Sequence, residues 1–436
     1  MGDVEKTISF CKSLGGNITK ISASEFKKSS KDKRAIKQIQ DDDEIFKIIP
    51  PKKLTSPKEG INSGNSGTTI RIMTALASLI EGKTRIFGEF FQRGRPIEPL
   101  LNALQQVGIE TREIEQNGKK GIEIISDGIP RSNLIQIRGD ISSQFITALL
   151  FLSPHLSKGR INKSEKKRNS KEHIPKQFTE IKLTTPAKSY PYLKITEDVL
   201  ESFYISILAD FDESLQGRYK IPPDQEYKGI AYQVPGDFSS MAFMIVATAL
   251  NKKAEKVKIR NLDVKSPQGD KALISLVKRS KGIIEIDEEN NEIIIIGGKD
   301  LEGFTYDCSQ TPDLFPILSV LATQCSGETQ IINAEHVRNK ETDRISVMVR
   351  ELRKMGIKIE EKKDGISVNG PQELHGSDIV HDNDHRVAMA LTIAALFADR
   401  PSYLNTEEIV KDSYPTFFED LKKLGVKIEL KKNNFL

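Results

Sequence analysis

Apolar and polar positions along the chain follow one repeating order of helices and strands. The second helix of each repeat has apolar residues three or four apart and stops at Gly, or once at Lys-Gly, after which the residues alternate as in a half-buried strand. These stops are Leu14-Gly15, Val107-Gly108, Lys281-Gly282, Met355-Gly356 and Leu424-Gly425. Ahead of most of them lies another apolar helix, which begins near Thr69, Gln144, Met241, Leu314 or Val387. The spacing of roughly 75 residues predicts a modular fold.

About six such repeats suit two domains of three units each, with helices packed on sheets, which is an α/β (α+β) fold. The breaker-rich stretch 221–226 predicts a boundary that gives domains 1–227 and 228–436. Charged stretches near 25–58 and 157–182 interrupt the repeat and are predicted to be insertions. Five repeats are predicted to be complete. The first begins in its second helix, so its first half is predicted to be absent.

Three local patterns make further predictions. Pro96 is predicted to begin a helix, because its missing N–H costs nothing at that position. Cys11 is predicted to lie on the buried face of the first helix. The alternation after Gly425 predicts a final strand over 426–430.

The composition argues against nucleic-acid and membrane functions. The chain has 65 Lys and Arg against 61 Asp and Glu in 436 residues, a formal net charge of only +4. The charged stretches 27–58 and 158–176 lack interleaved aromatic residues and are interpreted as solvated loops. Three widely spaced Cys residues favour a reducing compartment. With no apolar stretch of about 18 residues and no signal-peptide core, the sequence predicts a cytoplasmic protein.

Small polar residues precede the first helix of two amino-terminal repeats. Residues 62–71 contain Gly64 and Gly67, which expose backbone N–H groups to an anion at a helix start, and Arg71 strengthens this interpretation. Ser142-Ser143-Gln144 offers two hydroxyls and an amide at another helix start. A structural N-cap remains the alternative for each segment.

The carboxyl-terminal loops carry more charge than a cap needs. Residues 338–344 hold three cations and two carboxylates, and Thr342 is a candidate cap of the next helix. Residues 382–386 precede another apolar helix, and Asp313 is predicted to project from the end of a strand. The alternatives are a surface salt-bridge cluster and an N-cap, and residues 236–240 are interpreted as a structural cap. Equivalent loops facing one cleft would hold two anionic ligands.

Five segments, in this order along the chain, resemble the motifs of the 5-enolpyruvylshikimate-3-phosphate synthase family of the enolpyruvyl transferase superfamily. They are Asn65-Ser-Gly-Thr, Arg95-Pro96, Ser142-Ser-Gln-Phe, Lys340-Glu-Thr-Asp-Arg344 and Asp384-His-Arg386. The resemblance implies two domains of βαβαββ units with the active site in the cleft between them. It implies transfer of the enolpyruvyl group of phosphoenolpyruvate to the 5-hydroxyl of shikimate 3-phosphate, with release of phosphate, on the route to chorismate and aromatic amino acids. It also implies a monomer that acts on these small molecules without a metal or cofactor.

The resemblance assigns roles to individual residues. Asp313 resembles the residue that takes the 5-hydroxyl proton, and Glu341 resembles a candidate for protonating the methylene carbon. The implied contacts to shikimate 3-phosphate are Ser142, Ser143, Gln144, Ser189, Tyr192, Asp313, His336 and Lys340. The implied contacts to phosphoenolpyruvate are Gly67, Arg95, Gln144, Arg344, Arg386 and Lys411.

The chain also departs from the family pattern. His336 stands where the family often has Asn, and Asp412, next to Lys411, stands where it often has Lys. The family begins with a Pro-Gly-Ser-Lys-Ser type of segment that has no counterpart before Asp3, so we expect little activity without that Lys. The alternatives are the sister enzyme acting on UDP-N-acetylglucosamine, which uses a loop Cys where this half has only Cys11, and an inactive truncated copy.

Overall fold

The computed structural model describes residues 2–30, 32–39, 41, 43–131, 134–156, 178–253, 256–405 and 408–429. Two compact units emerge from its contacts, an amino-terminal unit Asp3–Val234 and a carboxyl-terminal unit Pro235–Leu436. The division falls after Val234, whereas the sequence predicted it after residue 227. Each unit has its own apolar core and contains both helices and sheets, which confirms the predicted fold class.

The first repeat consists of α1 (Asp3–Ser13), β1 (Asn17–Ile21), α2 (Ala23–Ser29), α3 (Lys33–Gln38) and β2 (Ile45–Ile49). β1 and β2 pair antiparallel. The interpretation of 27–58 as solvated loops only is therefore wrong. Helix-forming Glu and Lys residues follow Ser22, whose hydroxyl caps α2 by accepting a hydrogen bond from Glu25 N. Cys11 is only half-buried on α1, not buried as predicted.

The second repeat is complete. It consists of β3 (Ile61–Asn62), α4 (Gly67–Ala77), β4 (Glu81–Phe87), α5 (Glu89–Gln92), α6 (Glu98–Gln105), β5 (Glu110–Gln116) and β6 (Lys119–Asp127). Its sheet has the order β3-β4-β6-β5, with β3 and β4 parallel and the other pairs antiparallel. Pro96 does not begin α6 as predicted. The helix begins at Glu98, has Pro99 in its first turn, and the Glu98 carboxylate accepts a hydrogen bond from Ile97 N.

The third repeat has the same topology. It consists of β7 (Leu134–Ile137), α7 (Ser143–Leu156), β8 (Thr179–Leu183), α8 (Tyr190–Ser202), β9 (Leu208–Phe211) and β10 (Gly217–Ile221). The sheet order is β7-β8-β10-β9, and β7 and β8 are parallel. Of the predicted insertion near 157–182, residues 157–177 lie outside the described residues. Residues 179–182 belong to β8, so the insertion was predicted too long.

The carboxyl-terminal unit contains the remaining repeats. Its elements are α9 (Phe238–Leu250), β11 (Val257–Ile259), α10 (Ala272–Arg279), β12 (Ile283–Asp287), β13 (Glu292–Ile296), β14 (Thr305–Asp307), α11 (Phe315–Gln324), β15 (Gly327–Ile332), α12 (Arg344–Lys354), β16 (Ile359–Lys362), β17 (Gly365–Gly370), β18 (Asp378–Ile379), α13 (His385–Ala395), β19 (Tyr403–Leu404) and α14 (Phe417–Lys423). The sheets are β11-β13-β12, β14-β15-β17-β16 and β18-β19. Within the described residues, three repeats, and not the predicted five, have all four strands. Residues 426–429 form no strand, contrary to the prediction.

The predicted helix stops have the expected backbone conformation. Gly356 follows α12 with a φ of 93°, and Gly15, Gly108 and Gly425 are likewise left-handed. At the Lys-Gly stop, Lys281 and not Gly282 takes the left-handed position, with a φ of 72°. An added Cβ at Gly282 would lie 2.5 Å from Val277 Cγ1, so this glycine is needed for close packing against the helix.

Parallel first and second strands bring two loops together in each complete repeat. A backbone hydrogen bond of 2.9 Å links the two loops or strand ends in all three: Ser63 N to Phe87 O, Thr184 N to Ile137 O, and Cys308 N to Ile332 O. Ligand sites form outside the carboxyl ends of parallel strands. The repeat therefore provides one such edge in each complete unit. Among the described residues, every helix is too short or too polar to span a membrane.

A buried carboxylate on α12 anchors the loop that leads to α13. Glu351 is fully buried, and its oxygens accept hydrogen bonds from Arg350 Nε at 2.7 Å, Lys354 Nζ at 2.8 Å and Val380 N at 3.0 Å. Burial alone would raise the pKa of Glu351, but the hydrogen bonds from Lys354, Val380 and Arg350 outweigh it and lower that pKa. The ionised carboxylate therefore stabilises this part of the fold.

We expect Glu351→Gln to lower the free energy of unfolding by about 2–3 kcal/mol, because the buried neutral amide has one acceptor oxygen and no charge where the carboxylate accepts from three donors. The folded-state pKa of Glu351 is lowered, so its contribution is present above the unfolded pKa and is lost as pH falls through the folded pKa. The deficit of the variant should thus be constant near neutral pH and shrink below about pH 4. Urea unfolding at several pH values measures it. Glu360→Gln, at an exposed position on β16, is the control, and an equal loss in both variants would contradict the assignment.

Candidate active site

The loop after β3 places a glycine against an arginine in the amino-terminal unit. Ser66 caps α4 by accepting a hydrogen bond from Thr69 N, which makes Gly67 the first residue of that helix. An added Cβ at Gly67 would lie 3.0 Å from Nη2 of Arg95, whose Nη1 donates to Asn65 O at 3.1 Å. The structure thus brings Gly67 and Arg95 together, on the loops that follow the two parallel strands β3 and β4.

Arg71 connects this loop pair to the next repeat. Its guanidinium is almost fully buried, and it donates from Nη1 to Gln144 Oε1 at 2.5 Å and from Nη2 to Pro96 O at 3.0 Å. The same guanidinium lies over the ring of Phe145 at 4.9 Å and over the ring of Phe90 at 5.2 Å. Arg95 lies over Phe90 as well, so one aromatic ring supports two cations.

Gln144 is held at both ends of its amide. Oε1 accepts from Arg71, and Nε2 donates to Thr68 Oγ1 at 2.9 Å. These two hydrogen bonds fix the orientation of the amide, whereas the amide of a glutamine without such partners could rotate. The sequence identified Arg71 as strengthening an anion site but did not assign it to the site, and it missed Thr68. The one signal for both was their position beside Gly67 at the start of α4.

The predicted serines lie on the edge formed by β7 and β8. Ser142 Oγ accepts a hydrogen bond from Gln144 N at 3.3 Å, and Ser143 begins α7. Ser189 begins the turn into α8 with a left-handed φ of 57°, and its buried hydroxyl does not cap that helix. Lys188 N donates to Gly139 O at 3.0 Å, which ties the two loops together. Tyr192 follows on the first turn of α8 and is half-buried.

A second cluster in the carboxyl-terminal unit surrounds Arg344. This guanidinium is 1% exposed and contacts three carboxylates from three loops. Nε donates to Asp384 Oδ2 at 2.8 Å, Nη1 to Asp313 Oδ1 at 2.9 Å, and Nη2 to Glu341 Oε2 at 2.8 Å. Burial would lower the pKa of Arg344, but the three carboxylates outweigh it and raise that pKa above its ordinary value.

Asp313 is the carboxylate on which the cations converge. Besides Arg344, it contacts Arg386 Nη2 at 3.0 Å and Lys340 Nζ at 3.8 Å. Burial alone would raise the pKa of Asp313, but Arg386, Lys340 and Arg344 outweigh it and hold that pKa well below its ordinary value. Burial lowers the pKa of Lys340 despite the opposing effect of Asp313. The cluster formed by Lys340, Arg344, Arg386, Asp313, Glu341 and Asp384 therefore contains three cations and three carboxylates.

The remaining predicted residues lie on the loops after β15 and β19. His336 lies on the 3-10 helix Glu335–Asn339, just before Lys340. Lys411 lies on the 3-10 helix Glu408–Asp412, where its ammonium binds Glu408 Oε1 at 2.6 Å. These loops occupy equivalent places in successive repeats, after the second strand of a parallel pair.

Two of three local predictions about these loops need correction. Asp343, not Thr342, caps α12: its carboxylate accepts a hydrogen bond from Ser346 N at 3.1 Å. Asp313 does not project from the end of a strand but lies on the 3-10 helix Pro312–Leu314 beyond β14. Residues 236–240 do cap α9 through Asp237, as predicted. They also reach the charged cluster, because Ser239 Oγ accepts from Arg386 Nη2 at 3.3 Å.

The comparisons with known proteins agree on one family. The family model described as EPSP synthase (3-phosphoshikimate 1-carboxyvinyltransferase) matches residues 1–179 and 174–421. A 3-phosphoshikimate 1-carboxyvinyltransferase of Methanococcus maripaludis is 38% identical over 384 residues, which are 88% of this chain and 84% of the relative. The protein of the same name from Methanocaldococcus jannaschii is 40% identical over 385 residues, which are 88% of this chain and 83% of that protein.

Solved structures show the same fold. An EPSP synthase from Acinetobacter baumannii superposes with a TM-score of 0.73 at 21% identity, covering 99% of this chain and 90% of that one. The enolpyruvyl transferase NikO from Streptomyces tendae gives a TM-score of 0.70 at 16% identity, covering 98% of this chain and 88% of that one. The repeat topology, the family model and the sequence relatives all lead to one conclusion: the chain belongs to the EPSP synthase family, the 3-phosphoshikimate 1-carboxyvinyltransferases.

Proposed function

We propose that the protein transfers the enolpyruvyl group of phosphoenolpyruvate to the 5-hydroxyl of shikimate 3-phosphate and releases phosphate, a step of the shikimate pathway. The proposal rests on the position of the Asp313 carboxylate, which lies among three cations. The chain that carries this cluster belongs to the EPSP synthase family. A carboxylate can take a proton from an alcohol, and the cations can hold an anionic substrate beside it. Free thiols at all three Cys residues support the proposal that the reaction takes place in the cytosol.

We assign the two predicted groups of residues to the two substrates. Shikimate 3-phosphate is bound by hydroxyl, amide, carboxylate, imidazole and ammonium groups, which belong to Ser142, Ser143, Gln144, Ser189, Tyr192, Asp313, His336 and Lys340. Phosphoenolpyruvate is bound mainly by cations, through Gly67, Arg95, Gln144, Arg344, Arg386 and Lys411. Arginine suits the second group because its planar guanidinium can bind a carboxylate or phosphate through two hydrogen bonds.

The chemistry requires a base and an acid. In the addition step, Asp313 takes the proton of the 5-hydroxyl as the oxygen bonds to C2 of phosphoenolpyruvate, and Glu341 gives a proton to C3, which becomes a methyl group. In the elimination step, C3 returns a proton to Glu341 and the C2–O bond to phosphate breaks, which restores the double bond. The proton held by Asp313 passes to the leaving phosphate, so both carboxyl groups regain their starting states. Lys340 lies beside Asp313 and offsets the negative charge that develops on the attacking oxygen.

The charges around Asp313 make its basicity depend on phosphoenolpyruvate. With Arg344 and Arg386 directed at its two oxygens, the carboxylate has a strongly lowered pKa and is a weak base. When the arginines turn to the anionic substrate, that cause of the lowered pKa weakens, and the pKa of Asp313 rises. The base therefore becomes effective when the second substrate is present.

The relatives do not favour UDP-N-acetylglucosamine as the acceptor. The curated relatives carry the name 3-phosphoshikimate 1-carboxyvinyltransferase. Cys11, the one Cys of the amino-terminal half, lies within α1 and not on a loop. Its pKa is raised by burial, which makes its thiol a poor nucleophile.

The experiment mixes purified full-length protein with both substrates and measures phosphate release and product formation. We expect any phosphate release, however slow, to require shikimate 3-phosphate and phosphoenolpyruvate together and to match the enol ether product one to one. Replacing shikimate 3-phosphate by UDP-N-acetylglucosamine is the control. Release with the nucleotide sugar, and not with shikimate 3-phosphate, would overturn the proposal.

Gly67→Ala should raise the KM for phosphoenolpyruvate about tenfold and change kcat less than about threefold, a loss of about 1.4 kcal/mol in binding. The added methyl group would lie 3.0–3.1 Å from three guanidinium atoms of Arg95, so this flexible cation has to move. Steady-state kinetics with each substrate varied in turn measures the effect. Gly229→Ala is the matched control, because a Cβ there meets nothing within 4 Å. An equal rise in the KM for shikimate 3-phosphate would contradict the assignment of Arg95.

Lys340→Arg should move the alkaline limb of the kcat/KM profile to higher pH. Burial lowers the pKa of Lys340, so in the parent enzyme its charge is lost as pH rises through that lowered value. Arginine remains charged throughout the accessible range. The measurement is kcat/KM from about pH 6 to about pH 10. Lys363→Arg, at an exposed position on the β16–β17 turn, should leave the limb in place, and an unmoved limb in Lys340→Arg would show that Lys340 does not set it.

A further inference from the structure

Arg338 uses all of its hydrogen-bond donors. Nε donates to Lys363 O at 2.8 Å, Nη1 donates to Asp343 Oδ2 at 2.7 Å and Ser346 Oγ at 3.0 Å, and Nη2 donates to Lys362 O at 2.8 Å and Glu361 Oε1 at 3.0 Å. A guanidinium has five N–H groups, and here each has an acceptor. The side chain is 23% exposed. Five simultaneous bonds define one position for it more strictly than a single surface ion pair would.

These bonds join three separate elements. The backbone of Arg338 belongs to the 3-10 helix Glu335–Asn339, Asp343 is the N-cap of α12, and Lys362 and Lys363 lie at the turn between β16 and β17. The two oxygens of Asp343 have different partners. Oδ1 caps α12 by accepting from Ser346 N, and Oδ2 accepts from Arg338. The hairpin turn is thereby tied to the start of α12.

The bond between Arg338 and Asp343 closes a short loop with Lys340 and Glu341 inside it. The next residue, Arg344, donates hydrogen bonds to Glu341 and Asp313. Lys340 has a long side chain with several rotatable bonds and only a 3.8 Å contact to Asp313. A fixed backbone limits where its ammonium can go. Displacements of about 1 Å can cost about a hundredfold in rate.

We propose that Arg338 is a positioning residue, which holds the 339–343 turn so that Lys340 and Glu341 face Asp313. This inference rests on the proposed function, in which Lys340 and Glu341 act on the reacting substrates. Arg338 itself contacts protein groups and not Asp313. Its effect is therefore on the rate of the chemical step more than on the binding of either substrate.

Lysine cannot take over this role. An ammonium has three donors on a flexible chain and lacks the planar fork that reaches the two carboxylates and the two carbonyl oxygens at once. Arg338→Lys keeps the charge but loses at least two of the five bonds. It therefore separates the geometry of the turn from the charge of the residue.

The experiment compares Arg338→Gln, Arg338→Lys and the control Arg353→Gln in the full chain. Arg353 lies on α12, the helix that Asp343 caps, and donates a hydrogen bond to Ile359 O at 2.9 Å. We expect kcat to fall about 10- to 100-fold in both Arg338 variants, with each KM within about threefold of the parent and the control near parent activity. Rescue of kcat by Arg338→Lys, or equal losses in the control, would overturn the inference.

Hydrogen–deuterium exchange gives a second measurement that needs no turnover. Amides 339–343 should exchange at least about tenfold faster in both Arg338 variants than in the parent, while α13 exchanges as before. Unchanged exchange in the turn overturns the role of Arg338 whatever the activity. A parent protein that fails to use shikimate 3-phosphate, with faster exchange in the variants, would overturn the proposed function and support the role of Arg338 in holding the turn.

Discussion

The buried guanidinium of Arg344 organises the candidate site of the carboxyl-terminal unit. A charge that is 1% exposed is stable only where hydrogen bonds and opposite charges replace water, and removing one partner of such a pair typically costs about 3–5 kcal/mol. Arg344 meets this requirement with Asp384, Asp313 and Glu341. Each carboxylate comes from a different loop or turn, so the pairing fixes the relative positions of the segments that carry the candidate base, the candidate acid and Arg386.

The parallel strand pairs explain why the candidate site residues lie on these loops. In every complete repeat the first two strands run parallel, and their carboxyl ends release two loops side by side. Gly67 and Arg95 lie on one such pair, Ser142 and Ser189 on the next, and Asp313 and Lys340 on a third. The helices that follow begin at these loops, so caps such as Ser66 and Asp343 position neighbouring candidate site residues while they satisfy backbone donors.

The sequence predicted the secondary-structure elements better than the side-chain contacts between loops that are distant in sequence. Period and stop signals located α12 and its end at Gly356, because a left-handed residue after a helix is a local requirement. Arg344 and Arg386 were predicted as ligand residues through family resemblance. The pairing of Arg344 with Asp313 and Asp384, which lie 31 and 40 residues away in sequence, has no local signal. The contact of Ser239 with Arg386, 147 residues away, was missed for the same reason, since only folding brings the two loops together.

The three carboxylates around Arg344 differ in how firmly they are held. Asp384 is fully buried and also caps α13 through Arg386 N and Val387 N, so it cannot leave without exposing helix donors. The side chains of Asp313 and Glu341 are 16% and 18% exposed, and neither caps a helix through its side chain. In the proposed reaction Arg344 therefore keeps Asp384 and exchanges the other two for the anionic substrate. That exchange frees Asp313 and Glu341, the two groups that have to move protons, at the moment when the substrate arrives.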